Sequence, residues 1–324
     1  MNNLFCKNTI HISLLIFGAL FYGTNLHAQD TKVYNEAFSF TVDNDVFLLK
    51  FQDSYYTNGF FLQYSKAQQK NNVKKITRIE LGQSMYNTRE RRKVWSGDEI
   101  LDRQYCGYLF ARIATDHFLK NDAFLNLKAE VGVTGDLSLA RQLQEWYHKV
   151  LGLFDYPYWE TQIPNSIGIN LGAKYVAPIN AQQSEYNLFR IITASEVNFG
   201  SYFNNAKSGA YFCFGKFNKV ENTALFNNHI NTTSRSKNTS EWMLFFNPMV
   251  TYQAYNGTIQ GNVFKPMDKS YLWNIQPFIY QHSFGAMYAK NKWATKIEAV
   301  YLTREGKSQI QNHRYISLQT AYRF

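Results

Sequence analysis

From residue 29 onward the chain holds no apolar run long enough to cross a bilayer as a helix, yet segment after segment alternates in polarity over about ten residues. Side chains of a strand point to opposite faces in turn, so this alternation builds a sheet with one apolar and one polar face. The last segment is the clearest: Ile316, Leu318, Thr320, Tyr322 and Phe324 fall on one face, and Ser317, Gln319, Ala321 and Arg323 on the other. That pattern suits a wall with lipid on one side and a polar lumen on the other. It predicts an all-β fold, a transmembrane antiparallel β-barrel.

Segments rich in aromatic and β-branched residues predict twelve strands, at 37–49, 56–66, 76–86, 105–118, 123–134, 165–175, 188–199, 209–217, 242–255, 275–289, 293–303 and 315–324. An even count lets the barrel close with both ends on the periplasmic side. Only Leu137 to Leu151 switches to helical spacing, with Leu139, Leu143, Tyr147 and Val150 or Leu151 in phase. Asp136 is its expected N-cap and Gly152 its expected stop. The Asn-, Thr- and Ser-rich stretch from Glu221 to Ser240 reads as a mobile loop. Aromatic residues make up 17% of a chain whose mean hydropathy is −0.38, a pairing few soluble domains show. A soluble β-sandwich would need fewer exposed aromatics. The terminal Phe324 on an amphipathic strand also resembles the assembly signal of outer-membrane barrels.

The N-terminus reads as a signal peptide over residues 1–28, leaving 29–324 as one barrel domain. It carries Lys7, the apolar run Ile12 to Gly23 and the small-residue cleavage pattern at Leu26-His27-Ala28. The remaining cysteines, Cys106 and Cys213, read as small apolar side chains in strands. The chain is basic, with a formal charge of +10, but its cations are scattered, which speaks against nucleic acid. The densest cluster, Arg89 to Lys93, lies in a loop and suits an anionic partner such as a phosphorylated lipid head group.

Three constellations carry possible chemistry. Asp43-Asn44-Asp45 places two carboxylates on one face of a regular strand and the amide on the other. Tyr56-Thr57-Asn58-Gly59 follows across a hairpin, where Thr57 is expected beside Asn44 and Gly59 allows close approach. On the helix, Gln144 and His148 project together at i and i+4, with Glu145 as an expected orienting partner. Together they offer a histidine general base, a hydroxyl, and carboxylate and amide oxygens of the kind calcium takes. This set suits ester hydrolysis by His-activated water, with a cation or amide donors on the oxyanion. Asn44 and Asp45, as neighbours, can face one substrate only if a bulge, twist or strand end intervenes.

The order of short blocks resembles the family of outer-membrane lipid A 3′-O-deacylases over nearly the whole mature chain. The matching blocks are VDNDVF and DSYYTNGFFLQYS, then Gly82 to Tyr86, Asp102 to Leu109, Gly132 to Gly135, Gln144 to His148, Trp159 to Ile163 and Thr258 to Gly261. Gln104 and Cys106 stand where the family usually has Pro and Ala. The resemblance implies a twelve-stranded barrel with its site between wall and helix, facing the outer leaflet. It implies calcium-dependent removal of the 3′ acyloxyacyl group of lipid A, by a monomer in the outer membrane. Carried over, Asn44, Asp45 and Thr57 match the hairpin site residues and His148 the helix base. Gln144 and Arg91, Arg92 or Lys93 are expected at the substrate, the last three standing where one branch carries an assisting lysine. Asp45 and Asp43 are the expected calcium ligands. The competing readings are an outer-membrane phospholipase, for which no serine is well placed beside His148, and a non-enzymatic pore.

Overall fold

The computed structural model describes residues 33–48, 54–70, 73–89, 91–93, 99–151, 157–179, 188–233, 240–267 and 271–324. The expected signal peptide, Asp53 of the second matching block and the helix stop Gly152 lie outside them.

Twelve antiparallel strands form one closed barrel in which each pairs with its neighbours in sequence and the last with the first. They are β1 (Glu36–Asn44), β2 (Tyr55–Lys70), β3 (Val73–Asn87), β4 (Cys106–Phe118), β5 (Phe124–Thr134), β6 (Ser166–Pro178), β7 (Phe189–Gly200), β8 (Phe203–Lys216), β9 (Ser240–Asn256), β10 (Phe278–Lys290), β11 (Trp293–Leu302) and β12 (His313–Arg323). Closure leaves no unpaired strand edge in hydrocarbon, where such an edge costs several kcal/mol per group. The seam is completed beyond β12 by mutual backbone bonds between Glu36 and Phe324, with Phe324 N donating at 2.9 Å.

Alternation sorts the side chains as expected. Ile79, Leu81, Ile113, Val131, Ile169 and Val197 stand exposed on the outside. Trp242, Tyr288, Trp293 and Phe324 form an exposed aromatic band at the periplasmic end, where amphipathic rings suit the interface. Inside, charges pair across strands: Arg78 with Asp116 at 2.6 Å, Arg112 with Glu80 at 2.7 Å and Glu130 at 2.5 Å, and Lys128 with Glu196 at 2.5 Å. Near the extracellular mouth, Arg103 reaches Glu305 at 3.1 Å and Thr258 at 2.8 Å, and its guanidinium lies over the Tyr86 ring. Thr258 belongs to a one-turn helix, Gly257–Gln260.

The stretch from Glu221 departs from its expected mobility. Its described part, through Thr233, folds up into the periplasmic end of the barrel. Val220, Leu225 and Ile230 pack against Phe124, Ile192, Met243 and Phe245 of the inner wall. Arg78 donates to Asn228 Oδ1 at 2.7 Å and Phe226 O at 3.2 Å, Lys74 to Asn228 O at 2.7 Å, and Glu241 accepts from Thr223 and Ala224. The polar letters that look loop-like are there because a segment crossing a charged lumen must satisfy the wall's guanidinium, ammonium and carboxylate groups. His229 is buried in this plug, and burial together with Arg323, Lys74 and Arg78 pushes its imidazole down to about 3, so it is neutral.

The helix differs from expectation at its start. Gly135–Ser138 forms a separate 3-10 turn, Leu139 takes a left-handed φ of 57°, and α1 runs Ala140–Leu151. Ser138 Oγ accepts from Ala140 N at 3.4 Å, so the hydroxyl and not Asp136 stands at the helix N-terminus. Cys106 and Cys213 are both free and buried.

Candidate active site

The hairpin site begins with where β1 stops. Alternation along β1 points Phe38 and Phe40 outward and Ser39 and Asp43 inward, and the strand ends at Asn44. Asp43 therefore belongs to the lumen, where Tyr56 Oη donates to its carboxylate at 2.7 Å and the Tyr56 ring packs on Tyr315 and Tyr86. Asp45, past the strand end, does not share that face. Its Oδ2 accepts from Ser54 N at 3.1 Å and its Oδ1 from Thr57 Oγ1 at 3.2 Å. The regular-strand expectation that Asp43 and Asp45 lie together fails because the pleat does not continue through Asn44.

Opposite, β2 carries a bulge. Its register with β3 slips between Tyr56, paired with Tyr86, and Asn58, paired with Met85, leaving Thr57 as the extra residue. A bulge re-aims a side chain; here it lets Thr57 reach Asp45 while Asn58 still faces Asn44. Asn58 Oδ1 accepts from Asn44 Nδ2, and Asn44 Oδ1 accepts from Val46 N at 2.7 Å. Thr57 was expected beside Asn44; the partner there is Asn58, displaced by one position by the bulge. Strand end and bulge together let neighbours Asn44 and Asp45 serve one place. Asn44, Asp45, Thr57 and Asn58 are all buried.

This polar group lies on the lipid-facing side of the wall, and α1 accounts for its burial. Register runs level from Asn44 through Asn58 and Met85 to Gly107, one residue per strand. The span is three strand spacings, roughly 14 Å. Gly107 is where the helix meets the wall: a Cβ there would come within 2.1 Å of Ser138 Oγ and 2.3 Å of Ala140 Cβ. Ala140 packs with Met85, Tyr105 and Trp159, with Phe60 and Leu143 alongside. From there the helix crosses the outside of the barrel, so that Leu143 and Trp146 share a groove with Leu81, Phe60, Leu62 and Phe40, as far as β1. The groove is almost wholly apolar and encloses about 500 Å³.

Ala140, Gln144 and His148, at i, i+4 and i+8, make the buried stripe of α1, while Trp146 and Val150 stay about 60% exposed toward the membrane. Gln144 Oε1 accepts from Trp159 Nε1 at 2.8 Å, which fixes the helix's roll. Glu145 does not orient His148: it is on the exposed side and pairs with Arg141 at 2.8 Å. At i and i+3 the two are neighbours on the helix surface, but the Glu145 carboxylate turns the other way, to Arg141 one turn earlier.

The backbone of Arg91–Lys93 pairs with Glu99–Leu101 as a small two-stranded ladder, and the side chains of Arg91, Arg92 and Lys93 lie outside the described residues. The described residues include no group of three or more His, Cys, Asp or Glu arranged for a metal ion. By type, the hairpin still fits a hard cation: Asp45 supplies a carboxylate, and Asn44, Asn58 and Thr57 supply neutral oxygens. Asp43, engaged with Tyr56 in the lumen, stands apart from that set. Residues that the sequence left out are Asn58 as a partner and Trp159 with Met85 as the helix seat. The Trp159 to Ile163 block was the available signal, since a buried indole needs an acceptor.

The sequence pattern of the family described as outer membrane protein LpxR matches residues 13–324. Among solved structures, LpxR from Salmonella typhimurium is 19% identical, with a TM-score of 0.69, covering 89% of this chain and 100% of that one. The β domain of the Bordetella autotransporter Brka is 8% identical at a TM-score of 0.46, covering 90% and 99%. The COG4313 outer membrane channel from Pseudomonas putida F1 is also 8% identical, at 0.42, covering 93% and 100%. No curated protein sequence matches the chain.

Proposed function

Since the chain belongs to the LpxR family of outer-membrane proteins, the lipid A 3′-O-deacylases its sequence blocks resemble, we propose that it hydrolyses the 3′-linked acyloxyacyl ester of lipid A in the outer leaflet. The observation that carries this reading is the position of the buried polar group. Asn44, Asp45, Thr57 and Asn58 sit on the lipid-facing side of the wall, roofed by a helix whose buried stripe is Gln144 and His148, and beside an apolar groove. A pore has no use for polar groups on its outer surface. An enzyme that takes its substrate sideways from the membrane does.

His148, as a neutral imidazole, takes a proton from water as that water attacks the ester carbonyl, and returns it to the departing sugar oxygen. Asn44, held at both ends of its carboxamide, and Asp45, fixed by Ser54 and Thr57, are already in place before substrate arrives. Such preorganisation is what electrostatic stabilisation of an oxyanion requires. Asp45, with the Asn44, Asn58 and Thr57 oxygens, would hold calcium, which when bound would supply positive charge to the site. Thr57 fixes Asp45, Gln144 fixes the helix on Trp159, and the groove receives acyl chain. Each buried methylene there contributes about 0.8 kcal/mol, so chain length and groove length must agree.

Purified protein incubated with lipid A, with calcium or with a chelator, tests the reading by mass spectrometry. The expected product lacks one acyloxyacyl unit and forms only with calcium. Turnover of phospholipid in place of lipid A, together with labelling by a serine-reactive phosphonate, would support the phospholipase reading instead.

A further inference from the structure

One buried group on the outward row of β3 has no part in this chemistry. Asn87 is 1% exposed, and neither its Oδ1 nor its Nδ2 has a hydrogen-bond partner among the described residues. Buried polar groups are nearly always paired, so a wholly unpaired carboxamide needs a reason. Its place supplies one. Alternation from the exposed Ile79 and Leu81 puts Gln83, Met85 and Asn87 on the same outward side. Met85 seats the helix and faces Asn58 in register; Asn87 lies one step nearer the extracellular rim and pairs with Tyr55, at the start of the bulged end of β2. Gln83, two steps below, donates to Ser138 O at 2.5 Å and leaves its Oε1 unpaired toward the groove. The unsatisfied amide groups of β3 thus flank the seat of the helix, on the side from which substrate comes.

We propose that Asn87 is a substrate-binding residue that reads a secondary amide next to the scissile ester, donating from Nδ2 to the amide carbonyl and accepting at Oδ1 from the amide N–H. The inference rests on the lipid A reading, because that substrate class carries N-linked acyl chains on the same sugar as the ester. A carboxamide with a free donor and a free acceptor complements a secondary amide at both atoms. It complements a phosphate or a plain ester only through its donor. Asn87 would then select an N-acylated sugar over a glycerolipid, whose acyl groups are esters alone.

The test compares wild type, Asn87→Ala and Asn87→Leu, each refolded full-length in detergent. Two quantities are measured: equilibrium binding of lipid A in mixed micelles, and the thermal unfolding midpoint. Both Asn87 variants are expected to bind lipid A roughly tenfold more weakly, the worth of about one good hydrogen bond. Their midpoints stay at or above that of wild type, since an unpaired polar group has been removed. Binding equal to wild type in either variant overturns the proposal, as does a loss accompanied by a lowered midpoint, which would make Asn87 structural. A wild type that binds lipid A without hydrolysing it would sink the deacylase reading while leaving the Asn87 result intact.

Discussion

Thr57 shows how much of the site depends on one backbone irregularity. Had β2 continued without its bulge, Thr57 would have pointed away from Asn58, and Asp45 would have lost its hydroxyl donor. Thr57→Val keeps the shape and removes the oxygen. The barrel should fold, since one hydrogen bond contributes about 1 kcal/mol to stability. Deacylation should fall roughly ten- to a hundredfold, because Asp45 then loses the hydroxyl that donates to its Oδ1. Rates on solubilised lipid A check this, and an unchanged rate would remove Thr57 from the site. At this scale the sequence singles out residues that are buried in the structure, but not their partners. Asn44, Asp45, Thr57 and His148 are all buried. The pairing of Thr57 with Asp45, of Asn58 with Asn44 and of Asp43 with Tyr56 depends on a slip of register, which leaves no mark in a pattern of period two.

Among the elements, α1 and its seat matter most. Helical spacing from Leu139 to Leu151 is plain in the sequence. Which face it buries was less plain, because its exposed side carries Trp146 and Val150 and meets lipid, so the usual rule that apolar residues mark the buried face does not hold. Gln144 and His148 face inward instead, with the Trp159 bond holding that roll. Gly107 sets the distance. Gly107→Val would force branched carbon into Ser138 and Ala140 and lift the helix from β4. The expected result is a barrel that keeps its heat-modifiable mobility on a denaturing gel but loses lipid A deacylation by at least an order of magnitude. Retained activity would show that the helix seat is not what positions His148.

At the scale of the whole molecule, strand count, closure and the outward apolar surface were all legible, because lipid on one side forces period-two alternation on every strand. The periplasmic plug was not. Its Asn, Thr and Ser residues look like those of a solvated loop, and only the lumen's own charges, Arg78, Lys74 and Glu241, reveal why polar residues are buried there. Among the described residues, the plug below and the Arg103–Glu305–Thr258 contacts above both fill the lumen. In planar bilayers the wild type should give no steady conductance, and removal of residues 222–230 should produce one. A steady conductance from the intact protein would revive the pore reading. What remains for the wall is to hold a hairpin and a helix together on its outer side. On this helix, His148 is the proposed base for hydrolysis of a membrane lipid. The most direct measurement is the mass spectrum of lipid A from cells expressing wild type or His148→Ala at equal levels in the outer membrane. Loss of the 3′ acyloxyacyl unit with wild type and none with His148→Ala is the predicted result, and equal loss with both would contradict it.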